Sequence, residues 1–304
     1  MRIQYIKYMK LWNFLFVAVM VAAIAVIAVN GLNYGIDFTG GTLIEVKYNK
    51  NMDKNVVEKA LDTIAVKHKA FNSQKRYVTY SESEDGKGTI VLMRVPEVNE
   101  NEREDILAQL KTQTGEFDIR KVEKVGATIG SELRNTAIWS LILGTILIIL
   151  YITIRFEFKF ALSAIIALLH DIIVAIGVIA LFKFEVNSTF VAAILTILGY
   201  SINDTIVVFD RIRENRKKMP GEDLGQVMDI SVNQVVGRSI NTSMTTLLAL
   251  VAIAIFGGDS LRTFTITLIA GIASGTYSSI FVASPMTYVF EKMFPKKKNT
   301  EVNV

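Results

Sequence analysis

The sequence predicts a membrane α-helical protein with six transmembrane helices and one exported α+β domain of ferredoxin-like type between the first and second helix. Three observations lead there. The 304 residues are 51% hydrophobic with a mean hydropathy of +0.38, too apolar for an ordinary soluble domain. Yet 20% are charged, so polar and apolar parts must be segregated along the chain. The long apolar runs lie at 11–29 and between 137 and 289, which leaves 31–135 as a polar stretch between them.

A bilayer core about 30 Å thick takes roughly 20 helical residues to cross. Runs over 11–29, 137–154, 161–182, 190–209, 238–256 and 264–289 are read as the spans. The first reads as retained rather than cleaved, because its apolar run is long and no clear A-x-A site precedes Asn30. Orientation follows from the basic flanks. Arg2, Lys7, Lys10, Arg155, Lys159, Arg211, Arg213, Arg216, Lys217, Lys218, Lys292, Lys296, Lys297 and Lys298 fall on one side, against Lys183 and Arg262 on the other. Both termini are therefore expected in the cytoplasm, in a multi-pass membrane protein. The resulting plan is an N-terminus with the first helix over 1–30 and an exported domain over 31–135. A five-helix membrane region over 136–290 follows, with a cytoplasmic loop at 210–237, and a basic cytoplasmic tail ends the chain at 291–304.

Within the exported segment, 42–48 reads as a strand. Val56, Val57, Ala60, Leu61 and Ile64 then repeat with helical spacing after a capping Asp53. Alternating runs at 76–81 and 89–95 flank the turn Glu84-Asp85-Gly86-Lys87-Gly88 and predict a hairpin, which Pro96 ends. A helix over 100–112, with Ile106, Leu107 and Leu110 on one face, precedes a strand over 117–125. The order β-α-β-β-α-β is that of a split βαβ sandwich.

The same sequence excludes several chemistries. It has no cysteine, so disulfides, thiolate metal sites and cysteine nucleophiles are absent. Its two histidines, His68 and His170, form no H-E-x-x-H, so no metal site is expected. There is no P-loop and no G-x-S-x-G elbow, nor the G-x-G-D of intramembrane aspartyl proteases. The chain reads as a non-enzyme without a cofactor. The exported segment holds 16 basic and 17 acidic residues and the remainder 17 and 12, so the excess positive charge belongs to the membrane flanks and gives no nucleic-acid footprint.

What remains is polarity inside the spans. An ionisable residue at a helix centre costs about 2.5–3.5 kcal/mol on insertion scales and needs a partner or a wet cavity. His170 and Asp171 in the third span, Asp204 in the fourth and Arg238 at the start of the fifth require this explanation. Uninterrupted apolar sequence in the fifth span covers only 247–256, about half the bilayer thickness, so its helix must extend back toward Arg238. Arg238, Asn241, Thr242 and Thr245 then fall at i, i+3, i+4 and i+7, a polar face expected to look into the bundle. Arg238 and Asp204 enter from the same side and are expected to meet. Ser201 shares the face of Asp204, with Asn203 beside it. A neighbouring cation favours a charged carboxyl and an apolar surrounding a neutral one, so the pair is suited to carry a proton, or alternatively to fix helix register. His170 and Asp171 are read as support, or as hydrogen-bonding partners of a neighbouring helix. Gly271, Gly275, Ser279 and Ala283 recur every fourth position in the sixth span, which suits close helix packing, and Pro285 is expected to kink its far end.

Several motifs carry a resemblance: Gly35-Ile36-Asp37-Phe38-Thr39-Gly40-Gly41-Thr42, Val125-Gly126 to Gly130-Ser131-Glu132-Leu133, Leu169-His170-Asp171, and the run from Gly199 to Asn215 containing Asn203-Asp204. Arg238 to Thr242-Ser243-Met244-Thr245-Thr246-Leu247, Gly271, and Gly275-Thr276-Tyr277-Ser278-Ser279-Ile280 complete it. Together they resemble the SecF family of bacterial export subunits over nearly the whole chain, except the middle of the exported domain. The resemblance implies a subunit that pairs with SecD into a twelve-helix unit of resistance-nodulation-division-like architecture. That unit would associate with the SecYEG channel, with YajC and SecA as indirect associates, and use the proton-motive force to draw unfolded preproteins outward. It implies that Asp204 and Arg238 are relay positions and that Gly35, Asp37, Gly40 and Gly41 form the motif leading into the exported domain. Ala127 departs from a proline common in the family. A stabilising subunit without ion conduction, half of a small-molecule exporter, and sodium in place of protons are the alternatives.

Overall fold

A computed structural model describes residues 3–83 and 86–294. Arg2, the turn residues Glu84 and Asp85, and the tail from 295 on, with Lys296, Lys297 and Lys298, lie outside the described residues. Along the chain run α1 (Met9–Asn30), β1 (Asn33–Tyr34), α2 (Ile36–Thr39), β2 (Gly41–Tyr48), α3 (Lys54–Lys67), β3 (Tyr77–Glu82), β4 (Thr89–Val95), α4 (Glu100–Thr114) and β5 (Asp118–Val125). They are followed by α5 (Ala127–Arg155), α6 (Phe158–Leu181), β6 (Glu185–Val186), α7 (Ser188–Lys218), α8 (Leu224–Phe256), α9 (Asp259–Ser278) and α10 (Ser284–Met293). Contacts divide the chain into one unit of residues 34–138 and another formed by the segments before and after it.

The 34–138 unit contains a four-stranded antiparallel sheet in the order β3-β4-β2-β5. Inserting β4 between β2 and β3 splits the βαβ unit, the topology that the strand and helix pattern predicts. Register runs from Thr42 opposite Val95 to Tyr48 opposite Thr89, which sets the inward Ile44 against Met93 and Val46 against Val91. Two helices cover that face. Val57, Ala60, Leu61 and Ile64 of α3 and Ile106, Leu107 and Leu110 of α4 complete one core. Both helix starts are capped by side chains: Asp53 accepts from the Asn55 amide, and Asn99 with Glu102 forms a capping box. Asp105 joins the two helices by accepting from Lys67 Nζ at 2.6 Å and meeting His68 Nε2 at 2.8 Å.

The Gly40-Gly41 pair shows why its positions exclude side chains. Gly40 has φ +69°, and a Cβ there would sit 2.9 Å from Ala127 Cα; Gly41 has φ +126°, with a Cβ 2.5 Å from the Val95 carbonyl oxygen. The chain leaves the short helix α2, which holds Asp37 after an extended Gly35, and enters β2 against the start of α5. Ala127 is the first residue of α5, a position where proline is favoured and alanine also fits, so the helix start survives the departure from the family pattern.

Among the described residues six helices are long and apolar enough to cross a bilayer: α1, α5, α6, α7, α8 and the continuous stretch Leu261–Met293. In the membrane unit α6, α7 and the last stretch form the half-buried centre, while α1, α5 and α8 expose most of their surface. Small residues permit this packing. A Cβ on Gly177 would lie 2.7 Å from that of Ala23 in α1, and one on Gly271 2.8 Å from Ile197 Cγ2 in α7. Ahead of Pro285 the last stretch takes a π-helical turn over Ser279–Ala283. Proline has no N–H and its ring crowds the carbonyl four residues back, which a wider turn accommodates.

Helix ends depart from expectation. The expected loop over 210–237 is helical except at residues 219–223, because α7 continues to Lys218 and α8 begins at Leu224. Hydropathy detects only the apolar part of a helix. Here the polar extension is held by Arg211–Glu214 and Lys218–Glu214 pairs at 2.9 and 2.6 Å, and by Asn215 Nδ2 donating to Ser231 Oγ and Gln234 Oε1 across the α7–α8 hairpin. The second span likewise starts ten residues before its predicted bound, at Ala127.

Candidate functional site

Polar side chains of α6, α7 and α9 converge on Asp171, which is wholly buried. Its Oδ2 accepts from Ser201 Oγ at 2.7 Å and from Ser278 Oγ at 2.8 Å; its Oδ1 accepts from Ser274 Oγ at 2.7 Å and lies 3.1 Å from His170 Nδ1. A carboxylate offers about four lone-pair directions, and three hydroxyl donors and the His170 ring are in reach here. A carboxyl that would be costly to bury unpaired in an apolar bundle is thereby satisfied by three hydroxyls, with the imidazole beside it. The His170 ring stacks on Phe16 of α1, with centroids 4.3 Å apart. Gly275 makes room for the cluster, since a Cβ there would stand 3.0 Å from Ser201 Cβ and 3.4 Å from the Asp171 carboxylate.

The layer extends toward the far end of α7. Thr205 Oγ1 and Ser279 Oγ are 2.8 Å apart, and Ser279 Oγ donates to the Ser201 carbonyl at 3.3 Å. One position before Thr205 stands Asp204, 3% exposed. Its Oδ2 accepts from Ser243 Oγ of α8 at 3.2 Å. Its surroundings are unlike those of Asp171, with one hydroxyl at the carboxylate and no cation within ion-pair distance among the described residues.

Two expectations are corrected. Asp204 and Arg238 are not ion-paired: Arg238 is exposed, and Ser243 occupies the expected contact. Nor do Arg238, Asn241, Thr242 and Thr245 look into this bundle; all four are exposed, as is Asn203 on α7. The cause is helical phase. The buried side of α8 follows Ser231, Val235, Ser239 and Ser243 at four-residue steps, and Arg238 precedes Ser239 by one residue, about 100° around the helix. The hydroxyls of the exposed stripe bond to backbone carbonyls: Thr242 Oγ1 donates to Arg238 and Thr245 Oγ1 to Thr242, at 2.9 and 2.8 Å. Tyr200 OH reaches the Thr242 carbonyl at 3.0 Å.

The structure places His170, Asp171, Ser201 and Asp204, which the sequence singles out, in one polar layer with Ser243, Ser274, Ser278 and Thr205, which it does not. Their signal was the hydroxyl pair Ser274 and Ser278, four apart and one residue ahead of the small-residue stripe Gly271, Gly275, Ser279.

With the geometry in view, comparison with known proteins decides the family. The family described as protein export membrane protein SecD/SecF, C-terminal, matches residues 105–293, and the SecD/SecF GG motif matches residues 25–52. The chain belongs to the SecD/SecF family. As a SecD/SecF chain it is 49% identical over 302 residues to the protein translocase subunit SecF of Sebaldella termitidis, covering 98% of this chain and 96% of that one. It is 39% identical to SecF of Rhodobacter capsulatus over 88% of this chain and 82% of that one. The crystal structure of a Thermus SecDF, described as a translocon-associated membrane protein, superposes with a TM-score of 0.84 at 32% identity. A SecDF in a super-membrane-facing form gives 0.68 at 31%. Each SecDF match covers 96% of this chain, which spans 39% of the length of the SecDF chain. SecD/SecF membership makes this a multi-pass membrane protein with a role in protein export. The motif around Gly35, Asp37, Gly40 and Gly41 lies inside the matched GG segment, and both buried aspartates lie inside the C-terminal match.

Proposed function

We propose that this chain, paired with SecD at the SecYEG channel of the bacterial cytoplasmic membrane, uses the proton-motive force to promote outward movement of preproteins, with YajC and SecA as indirect associates. Asp204 carries the proton and Arg238 is the cation it answers to. The observation that supports this reading is the contrast between two buried carboxyls. Asp171 has three hydroxyl donors with the His170 ring beside them and anchors the helices, whereas Asp204 sits within a span with a single hydroxyl and, among the described residues, no cation within ion-pair distance. A carboxyl so placed can exist neutral in the bundle and become charged when a cation approaches.

SecD supplies what the exposed stripe lacks. Asn203, Arg238, Asn241, Thr242 and Thr245 facing lipid would be costly, and a second six-helix unit against α7 and α8 removes that cost. Arg238 then lies between the two units, where a small shift of α8 brings it toward Asp204 or away. Both termini are cytoplasmic on this reading, because basic flanks gather at that side. One proton crossing 100 mV supplies about 2.3 kcal/mol, enough to bias two arrangements of the exported unit by roughly fifty-fold. The two SecDF structures fit the same share of this chain with TM-scores of 0.84 and 0.68, a difference that supports more than one arrangement of this fold.

The test is gradient-dependent stimulation of preprotein release in proteoliposomes. Asp204→Asn should abolish it while leaving the complex with SecD intact; undiminished stimulation removes the relay. Arg238→Ala should stop export with normal complex yield, and a collapse of yield would favour a stabilising role instead.

A further inference from the structure

Where α5 ends and α6 begins, the chain leaves a cavity of about 460 Å³ against the last turns of α7. Arg155, Arg213, Arg216, Lys217 and Glu157 line it, with Phe156, Phe160 and Phe209 as its apolar wall. Two of these cations are engaged: Arg155 with Asp210 at 3.2 Å, and Arg216 with Glu291 at 2.7 Å, an acid also held by Lys159 at 2.7 Å. Arg213 and Lys217 are exposed and form no ion pair among the described residues, so the lining, with four cations and the single acid Glu157, stays positive. Basic flanks that only set orientation need no cavity; here the free cations stand over an aromatic recess.

The neighbouring surface indicates the occupant. The face of α5 leading into the cavity is apolar and outward, with Leu147, Leu150, Tyr151 and Ile154 each more than half exposed, and Phe158 beyond it is also exposed. We infer that the cavity holds the headgroup of an anionic phospholipid, its phosphate between Arg213 and Lys217 and its acyl chains along that face of α5. Basic recesses between membrane helices are suited to this, and a free phosphate would leave the apolar wall unused. The lipid would fix the splay of α5 and α6 against α7; Glu291 of α10 already joins the ends of α6 and α7 through Lys159 and Arg216.

The test is native mass spectrometry of the full chain, offered dioleoyl phosphatidylglycerol and dioleoyl phosphatidylcholine in equal amounts. Wild type should retain the anionic lipid selectively, and R213Q/K217Q should lose about thirty-fold in its retention, at roughly one kcal/mol for each basic group. Both side chains are exposed, so the variant keeps its fold, and K7Q/K10Q, with the same change of charge elsewhere, should bind as wild type does. Equal retention by R213Q/K217Q and wild type would overturn the proposal, as would equal loss in K7Q/K10Q. So would displacement of the lipid by millimolar inorganic phosphate, or a recess that takes no lipid and is filled only by an acidic partner protein.

Discussion

The Ser243 hydroxyl donates to Asp204 Oδ2 at 3.2 Å, while Arg238, five residues earlier and about 140° around the same helix, is exposed and reaches the acid only through its charge. The one polar group at the proposed carrier is therefore a neutral donor that tolerates either protonation state of the acid. Ser243→Ala should weaken gradient-dependent export by about two- to tenfold, the worth of one hydrogen bond of about 0.5–1.5 kcal/mol, without the full loss expected of Asp204→Asn. Initial rates of preprotein release at a fixed gradient measure it.

Asp171 should behave as a structural anchor. Removing Ser278 leaves Ser201 as the remaining hydroxyl on Oδ2, and hydrogen bonds to charged groups contribute about 1.5–3 kcal/mol each. Ser278→Ala and Asp171→Asn should both lower the thermal unfolding midpoint of the detergent-solubilised chain by several degrees, with Asp204→Asn close to wild type. A larger drop for Asp204→Asn than for Asp171→Asn would reverse the two roles.

The exposed side of α8 should be covered in the assembled complex. Ile240 and Met244 flank the polar stripe and are exposed in this chain. A photoreactive benzoylphenylalanine at Met244 should crosslink to co-expressed SecD, and one at Leu147, on the outward face of α5, should not. Crosslinks from Leu147 alone would place the partner on the other side of the bundle.

The 34–138 unit should carry an acid-sensitive joint. Hydrogen bonds from Lys67, Gln109 and His68 bring the Asp105 carboxyl down to about 2 from its ordinary value near 4. Its folded-state pKa lies below the unfolded one, so its contribution is fully present above about pH 4 and is lost as the pH falls toward 2. Amide hydrogen exchange in α3 and α4 of the full chain should accelerate across that window, and Asp105→Asn should flatten the change.

Much of this architecture was legible in the sequence for a physical reason. The sheet unit follows local rules: alternation brings Ile44, Val46 and Tyr48 to one face, Asp53 caps a helix, and the two helices follow from their apolar spacing. The six spans follow from the thickness of hydrocarbon. Less legible was rotation about a helix axis. The spacing from Arg238 to Thr245 defines one face of α8, but the direction of that face depends on what packs against the helix, and in one chain Ser239 and Ser243 take the inward side. Ser274 and Ser278 went unrecognised because a serine in a span reads as a small packing residue until an acid on another helix stands opposite it.

The central claim is that Asp204 takes up the proton. Infrared difference spectroscopy on the reconstituted complex with SecD, taken across an acid step, reads the protonated-carboxyl band directly. The account predicts a band that is present in wild type and in Asp171→Asn and missing in Asp204→Asn. A band that survives Asp204→Asn unchanged, or disappears in Asp171→Asn instead, would contradict it.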